Sequence, residues 1–88
     1  MIVVKRRGHT EKFDQKKLYG SVYGACLVAE LNEGACEKNA DFVTKQVTKE
    51  LKKYKNVDSK KILKTAAKHL RKKSKDAAFL YETHKDLS

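Results

Sequence analysis

The strongest constraint on this sequence is a set of apolar residues that recur every three or four positions. The longest stripe lies between residues 33 and 54 and consists of Cys36, Ala40, Val43, Val47, Leu51 and Tyr54. Side chains at this spacing share one face of an α-helix. The chain contains no proline, so long helices can continue unbroken. Its 88 residues suffice for one modest core, and we expect a single domain over residues 1–88.

Four helices are predicted, each preceded by a residue whose side chain can cap free backbone amides. The predicted caps are Asp14, Asn32, Asp58 or Ser59, and Ser74 or Asp76. The first two helices are expected over about 15–30 and 33–54. The core-facing residues outside the second helix are predicted to be Leu18, Val22, Ala25, Cys26, Ala29, Ile62, Leu63, Ala66, Ala67, Leu70, Ala77, Leu80, Tyr81 and His84. Cys26 and Cys36 are expected to be buried thiols.

Residues 2–13 are predicted to form a β-hairpin, because Ile2–Val4 favours a strand and Gly8 interrupts the polar residues that follow. A three-residue loop, Arg6 to Gly8, is favoured over a two-residue loop because it places only Gly8 in the left-handed region. This register pairs Lys5 with His9 and Val3 with Glu11, and puts these four residues and Phe13 on one face. The expected fold is mostly α, of the α+β class, with the hairpin packed on a four-helix bundle.

The amino-acid composition indicates which kinds of partner the protein can bind. Lys and Arg outnumber Asp and Glu by 21 to 11, a net charge of +10, so phosphate-bearing partners are favoured. The apolar run after Met1 is far too short for a signal peptide or a membrane span, so a cytoplasmic protein without membrane contact is expected. Neither the cysteines nor the histidines have metal-ligand spacing, and no Walker A motif or catalytic constellation is present. We therefore expect no enzyme.

The hairpin segment is the most informative part of the sequence. It concentrates cations and ends at the predicted start of a helix, where free amides and the macrodipole favour an anion. Glu11 and Asp14 would repel phosphate, yet a carboxylate could accept hydrogen bonds from an adenine amine or a ribose. Lys5 would then meet the phosphates and Phe13 the base. Two simpler interpretations stay open: Glu11 pairs with a lysine across the hairpin, and Phe13 anchors the ribbon to the helices.

The run Val-Val-Lys-Arg-x-Gly-x-x-Glu-x-Phe-Asp-x-x-Lys-Leu, residues 3–18, closely resembles the opening of the ATP-cone domain. That family occurs in many ribonucleotide reductase large subunits, in the ribonucleotide reductase transcriptional regulator and in archaeal 2-phosphoglycerate kinases. Residues 57–62 and 77–81 resemble its later segments, so the likeness covers nearly the whole chain. Leu63 stands where some reductase cones have histidine. This departure weakens any inference about how the site discriminates between the sugars of ATP and dATP.

The resemblance implies a site for ATP or dATP, with Mg²⁺ left open. By position, the residues implied in this site are Lys5 and Arg6 at the phosphates, Glu11 and Asp14 near the adenine or ribose, Phe13 and Leu18 at the base, Lys17 facing the same site, and Ser59 and Lys85 at the phosphates. Since the family acts through altered oligomerisation, the resemblance implies an allosteric regulatory module that forms a homo-oligomer or acts on a separate effector protein.

A second basic segment supports an alternative function, a small DNA- or RNA-binding protein. No acidic residue occurs between Ser59 and Lys75, and four cations of that segment fall on one side of the predicted third helix: Lys61, Lys64, Lys68 and Arg71. Like charges at this spacing repel each other, and a polyanion would relieve the repulsion.

Overall fold

The computed structural model describes residues 1–83, which form three strands and four helices. In chain order these are β1 (Ile2–Val4), β2 (Thr10–Lys12), α1 (Gln15–Val28), α2 (Glu33–Leu51), β3 (Asn56–Asp58), α3 (Ser59–Arg71) and α4 (Lys75–Thr83). The predicted class, mostly α with an N-terminal hairpin, is confirmed. His84 and Lys85 lie outside the described residues.

The hairpin has the predicted register but not the predicted loop conformation. Val3 pairs with Glu11, and the Lys5 amide donates to the His9 carbonyl at 2.6 Å. The three loop residues form one turn of 3₁₀-helix, and Arg7 has a φ of 62° beside Gly8 at 78°. The expectation that only Gly8 is left-handed was wrong. The turn reverses the chain through two consecutive left-handed residues, and the exposed Arg7 side chain tolerates that conformation.

A third strand, which the sequence did not predict, completes the sheet. The strand order is β2-β1-β3, and β3 runs parallel to β1, with Val3 opposite Val57 and Val4 opposite Asp58. Only the central residue of β3, Val57, is buried. A strand of three residues carries too little alternation to be recognised alone, and its pairing with β1 is what defines it.

The helices begin where the caps predict. Asp14, Asn32 and Asp58 accept hydrogen bonds from the first-turn amides of α1, α2 and α3, and the Ser74 hydroxyl accepts from Ala77 of α4. The ends differ from prediction. Helix α2 stops at Leu51, and Tyr54, placed on its apolar stripe from sequence, lies beyond it and is 39% exposed. Its amide donates to the Leu51 carbonyl in the turn that leads to β3.

The core lies between the four helices and the inner face of the sheet. Its buried members are Val3, Leu18, Val22, Cys26, Cys36, Ala40, Val43, Val47, Leu51, Val57, Ala66, Ala67, Leu70, Ala77, Ala78 and Tyr81. Both cysteines are fully buried free thiols, as predicted. Val3 is the central residue of β1, and its side chain is buried. The hairpin face that carries Val3 therefore turns toward the helices, and the opposite face turns toward solvent.

Candidate functional site

The hairpin and α1 bring two lysines to one carboxylate. Glu11 Oε1 lies 3.1 Å from Lys5 Nζ across the ribbon and 3.5 Å from Lys17 Nζ on the first turn of α1. The three side chains are between one third and just over one half exposed, so a ligand can reach them. The hydrogen bond from Lys5, with the positive charge of Lys17, holds the pKa of Glu11 below its ordinary value of 4.5.

Asp14 links this cluster to the start of α1. Its Oδ1 accepts from the amides of Lys16 at 2.9 Å and Lys17 at 3.3 Å. Both bonds use the same oxygen, and within residues 1–83 Oδ2 takes part in no hydrogen bond. Asp14 can therefore cap the helix and still offer a second acceptor to a ligand. Leu18, the last residue of the hairpin motif, is buried in the core.

The parallel pairing of β1 and β3 brings the start of α3 beside Lys5. Val4 pairs with Asp58, so Lys5 and Ser59 each follow directly at the same edge of the sheet. Asp58 accepts from the Lys60 amide at 2.8 Å, and Ser59 is partly buried as the first residue of α3. The start of α3 thus lies at the Lys5 end of the sheet, whereas α1 begins beyond the opposite end, where Lys12 pairs with Ile2. Lys17 of the first turn of α1 nevertheless reaches Glu11.

Two other predicted site residues take no part in the ion pairs of the Glu11 cluster. Arg6 projects from the exposed hairpin turn. Phe13 is partly buried, packs against the core and lines an open groove of about 360 Å³ together with Met1, Ile2, Lys12, Thr48 and Lys52. None of the other five residues of that groove was predicted to contact a nucleotide. The structure therefore shows that Phe13 anchors the hairpin to the helical core.

The cations of α3 are less uniform than the sequence suggested. Lys68 Nζ lies 3.1 Å from Glu50 of α2, and Arg71 pairs with Glu82 of α4. Lys61 Nζ lies 4.5 Å from the centre of the Tyr54 ring, and Lys64 is exposed with no carboxylate near it in the described part of the chain. Sequence reasoning missed Glu50 and Glu82 because they are 18 and 11 residues away from their partners.

The described residues, 1–83, bear on three possible partners: a membrane, a metal ion and phosphate. None of the helices described there is long and apolar enough to cross a membrane. No three His, Cys, Asp or Glu side chains in the same range are grouped so that they could hold a metal ion. What the range does contain is a set of cations at two helix N-termini, an arrangement suited to phosphate.

A small α+β domain that carries cations on its hairpin and in the first turns of two helices belongs to the anion-binding class of module. The ATP cone domain model matches residues 1–84, so the chain belongs to the ATP-cone family. No curated protein shows a significant match to the chain. ATP-cone domains bind adenine nucleotides as regulatory modules and do not themselves catalyse reactions, and the chain is accordingly a nucleotide-binding regulatory module.

Proposed function

We propose that ATP or dATP binds in the angle between the hairpin and the N-termini of α1 and α3. The phosphates contact Lys5, Lys17 and the first turn of α3 at Ser59. Glu11 and Asp14 accept from the adenine amine or the ribose hydroxyls. Further contacts in this proposal are Arg6 and Lys85 to phosphate, and Phe13 and Leu18 on the apolar side of the base.

The observation that carries this proposal is the carboxylate of Glu11 between two lysines from different elements. Without a ligand, Glu11 partly neutralises Lys5 and Lys17 and holds them in place at 3.1 and 3.5 Å. Phosphate oxygens compete well for ammonium groups, since charge-assisted hydrogen bonds to anions are the stronger kind. Lysines that turn toward phosphate leave Glu11 as an acceptor, which a purine amine can use.

The two helix starts add a second source of attraction. Free backbone amides at the first turn of a helix point outward and carry a partial positive charge. Asp58 accepts a hydrogen bond from one first-turn amide of α3, that of Lys60. The other amides of that turn remain able to donate to a phosphate. The surroundings of Lys5 therefore fit a polyphosphate better than they fit a neutral ligand.

Calorimetric titration with ATP tests the site. We expect wild-type binding in the micromolar range and at least a tenfold loss in both Lys5→Ala and Glu11→Ala. Lys38→Ala is the matched control, because Lys38 is an exposed lysine of α2, which contributes no residue to the proposed site. ATP binding that survives both site variants, or that is equally weakened by Lys38→Ala, would refute the assignment.

We further propose that nucleotide occupancy is signalled through oligomerisation. A ligand shifts an association equilibrium only if its affinity differs between the two states. Sedimentation velocity at one protein concentration, without nucleotide and with saturating ATP or dATP, reports that difference directly. We expect the mean mass to change with at least one nucleotide. An unchanged mass with both would leave a separate effector protein as the receiver of the signal.

A further inference from the structure

The junction of α2, β3 and α3 carries a patch of lysines whose side chains are not among the proposed nucleotide contacts, although it adjoins Ser59 at the start of α3. This basic patch consists of Lys52, Lys53, Lys55, Lys60, Lys61 and Lys64 together with Tyr54. All six lysines are exposed, and within residues 1–83 none forms an ion pair with a carboxylate. The contrast with Lys68 and Arg71 on the same helix is direct, because those two are paired with Glu50 and Glu82.

Local structure explains part of this charge and leaves the rest unrelieved. Lys52 and Lys53 follow the C-terminus of α2, where the helix dipole favours cations. Lys60 and Lys61 lie in the first turn of α3, where the dipole disfavours them, and that turn contains no acidic residue. The Asp58 cap offsets part of this charge through the Lys60 amide, and an anionic partner at the two lysines would stabilise the start of α3 further.

Tyr54 gives the patch an aromatic surface. The ring lies in the turn after α2, is 39% exposed, and has the ammonium groups of Lys61 and Lys53 at 4.5 and 5.3 Å from its centre. The other large apolar side chains that are exposed in the described chain, Leu27, Val28 and Phe79, belong to α1 and α4. The patch thus combines cations with one accessible ring and has no apolar face to insert into a membrane.

We propose that the basic patch binds single-stranded nucleic acid. An unpaired base stacks on the Tyr54 ring in place of the Lys61 or Lys53 ammonium group that lies over it. The displaced lysine and its neighbours contact the flanking phosphates. Grooves that bind single strands combine these two features, since every base has a π-face and every linkage a charge. Bases of a duplex are stacked inside the helix and cannot reach Tyr54, so the ring distinguishes a single strand from a duplex.

The first test measures binding of a twelve-nucleotide oligothymidylate by fluorescence anisotropy. Loss of base stacking weakens affinity by about 5- to 160-fold, so we expect that loss in Tyr54→Ala and near-wild-type affinity in Tyr54→Phe, which keeps the ring. A duplex of the same length is expected to show no difference between these variants. Equal affinity of Tyr54→Ala and wild type for the oligothymidylate would overturn the proposal.

The second test separates the patch from overall charge. The triple variant Lys53→Gln, Lys61→Gln, Lys64→Gln is expected to lower the slope of log K against log salt by about 2, since each phosphate contact of a single strand contributes about 0.7. The charge-matched control Lys38→Gln, Lys72→Gln, Lys75→Gln alters exposed lysines elsewhere and is expected to keep the wild-type slope. Equal slopes for the two triple variants would refute a local site. So would tighter binding to phosphatidylserine vesicles than to the oligonucleotide.

A third measurement reports stacking itself. The chain has no tryptophan, so Tyr54→Trp places a single tryptophan at the patch, whose emission can be excited selectively over that of tyrosine. Phe79→Trp places one on α4 at a residue that is 66% exposed. We expect the oligonucleotide to quench the first and leave the second unchanged. Lys5→Ala should retain oligonucleotide binding, because Lys5 belongs to the nucleotide site. Quenching at both positions, or at neither, would contradict the proposal.

Discussion

Replacement of Asp14 separates its role as a helix cap from its proposed role as a ligand contact. Oδ1 holds two amides of α1, of which the Lys16 bond at 2.9 Å is the shorter. Removing an Asp cap costs about 0.5–2 kcal/mol. Because Asp14 is exposed and water can reach the released amides, we expect about 1 kcal/mol for Asp14→Ala, within that range. In a domain of this size, that loss lowers Tm by about 4–8 °C.

Asp14→Asn discriminates between the two roles. Asparagine caps helices about as well as aspartate, so most of the stability should remain. An amide that caps with its oxygen presents its NH₂ group to the ligand, and a donor cannot accept from the adenine amine. We therefore expect Asp14→Asn to keep Tm close to the wild-type value and yet to weaken ATP binding.

Asn32→Ala is the control for cap loss alone. Asn32 accepts from the Ala35 amide at 2.8 Å at the start of α2, a helix whose N-terminus takes no part in the proposed site. Its removal should lower Tm by a similar amount and leave ATP affinity unchanged. The reasoning fails if Asp14→Asn binds ATP as the wild type does, or if Asp14→Ala melts at the wild-type temperature. Differential scanning fluorimetry and calorimetric titration supply both readouts.

Two further predictions concern stability. Glu30 lies just after the C-terminus of α1 and has a φ of 65°. The next amide, that of Leu31, donates to the Cys26 carbonyl of the last turn. Glycine removes the penalty of the left-handed conformation, so Glu30→Gly should stabilise the protein by about 1 kcal/mol in urea unfolding, whereas Glu30→Ala should not. The hydrogen bond from Lys68, and to a smaller extent that from His69, holds the pKa of Glu50 below its ordinary value of 4.5. The ionised Glu50 side chain therefore stabilises the fold above pH 4.5, and this stabilisation is lost as the pH falls through the lower pKa of the folded state. Glu50→Gln should therefore be less stable than the wild type at pH 7, with a gap in urea midpoint that closes in acid; a gap independent of pH would contradict this assignment.

Local patterns were sufficient to predict most of the secondary structure. The caps and the three- and four-residue spacing predicted the four helix starts, because both act within one or two turns of the chain. The hairpin register followed from the length of the loop. The same patterns could not predict the end of α2, since the spacing of Tyr54 continues the stripe while its side chain lies outside the core.

The candidate site was predictable in part for the same reason. Lys5, Glu11, Asp14 and Lys17 lie within thirteen consecutive residues, so a hairpin register and one helical turn are enough to group them. Ser59 joins them through β3, whose pairing with β1 spans more than fifty residues of chain. The family resemblance pointed to Ser59, whereas strand periodicity did not.

The sequence by itself determined the helix starts, the hairpin and the side-by-side placement of Lys5 and Glu11, because each depends on residues close together in the chain. Only the tertiary structure decided which cations remain unpaired. Glu50 and Glu82 neutralise one end of the basic face of α3 from other helices, and the end of α2 brings Tyr54 to Lys61 at the other. Electrostatic pairing depends on distance in space, and a distance between residues far apart in sequence is set by packing of the core.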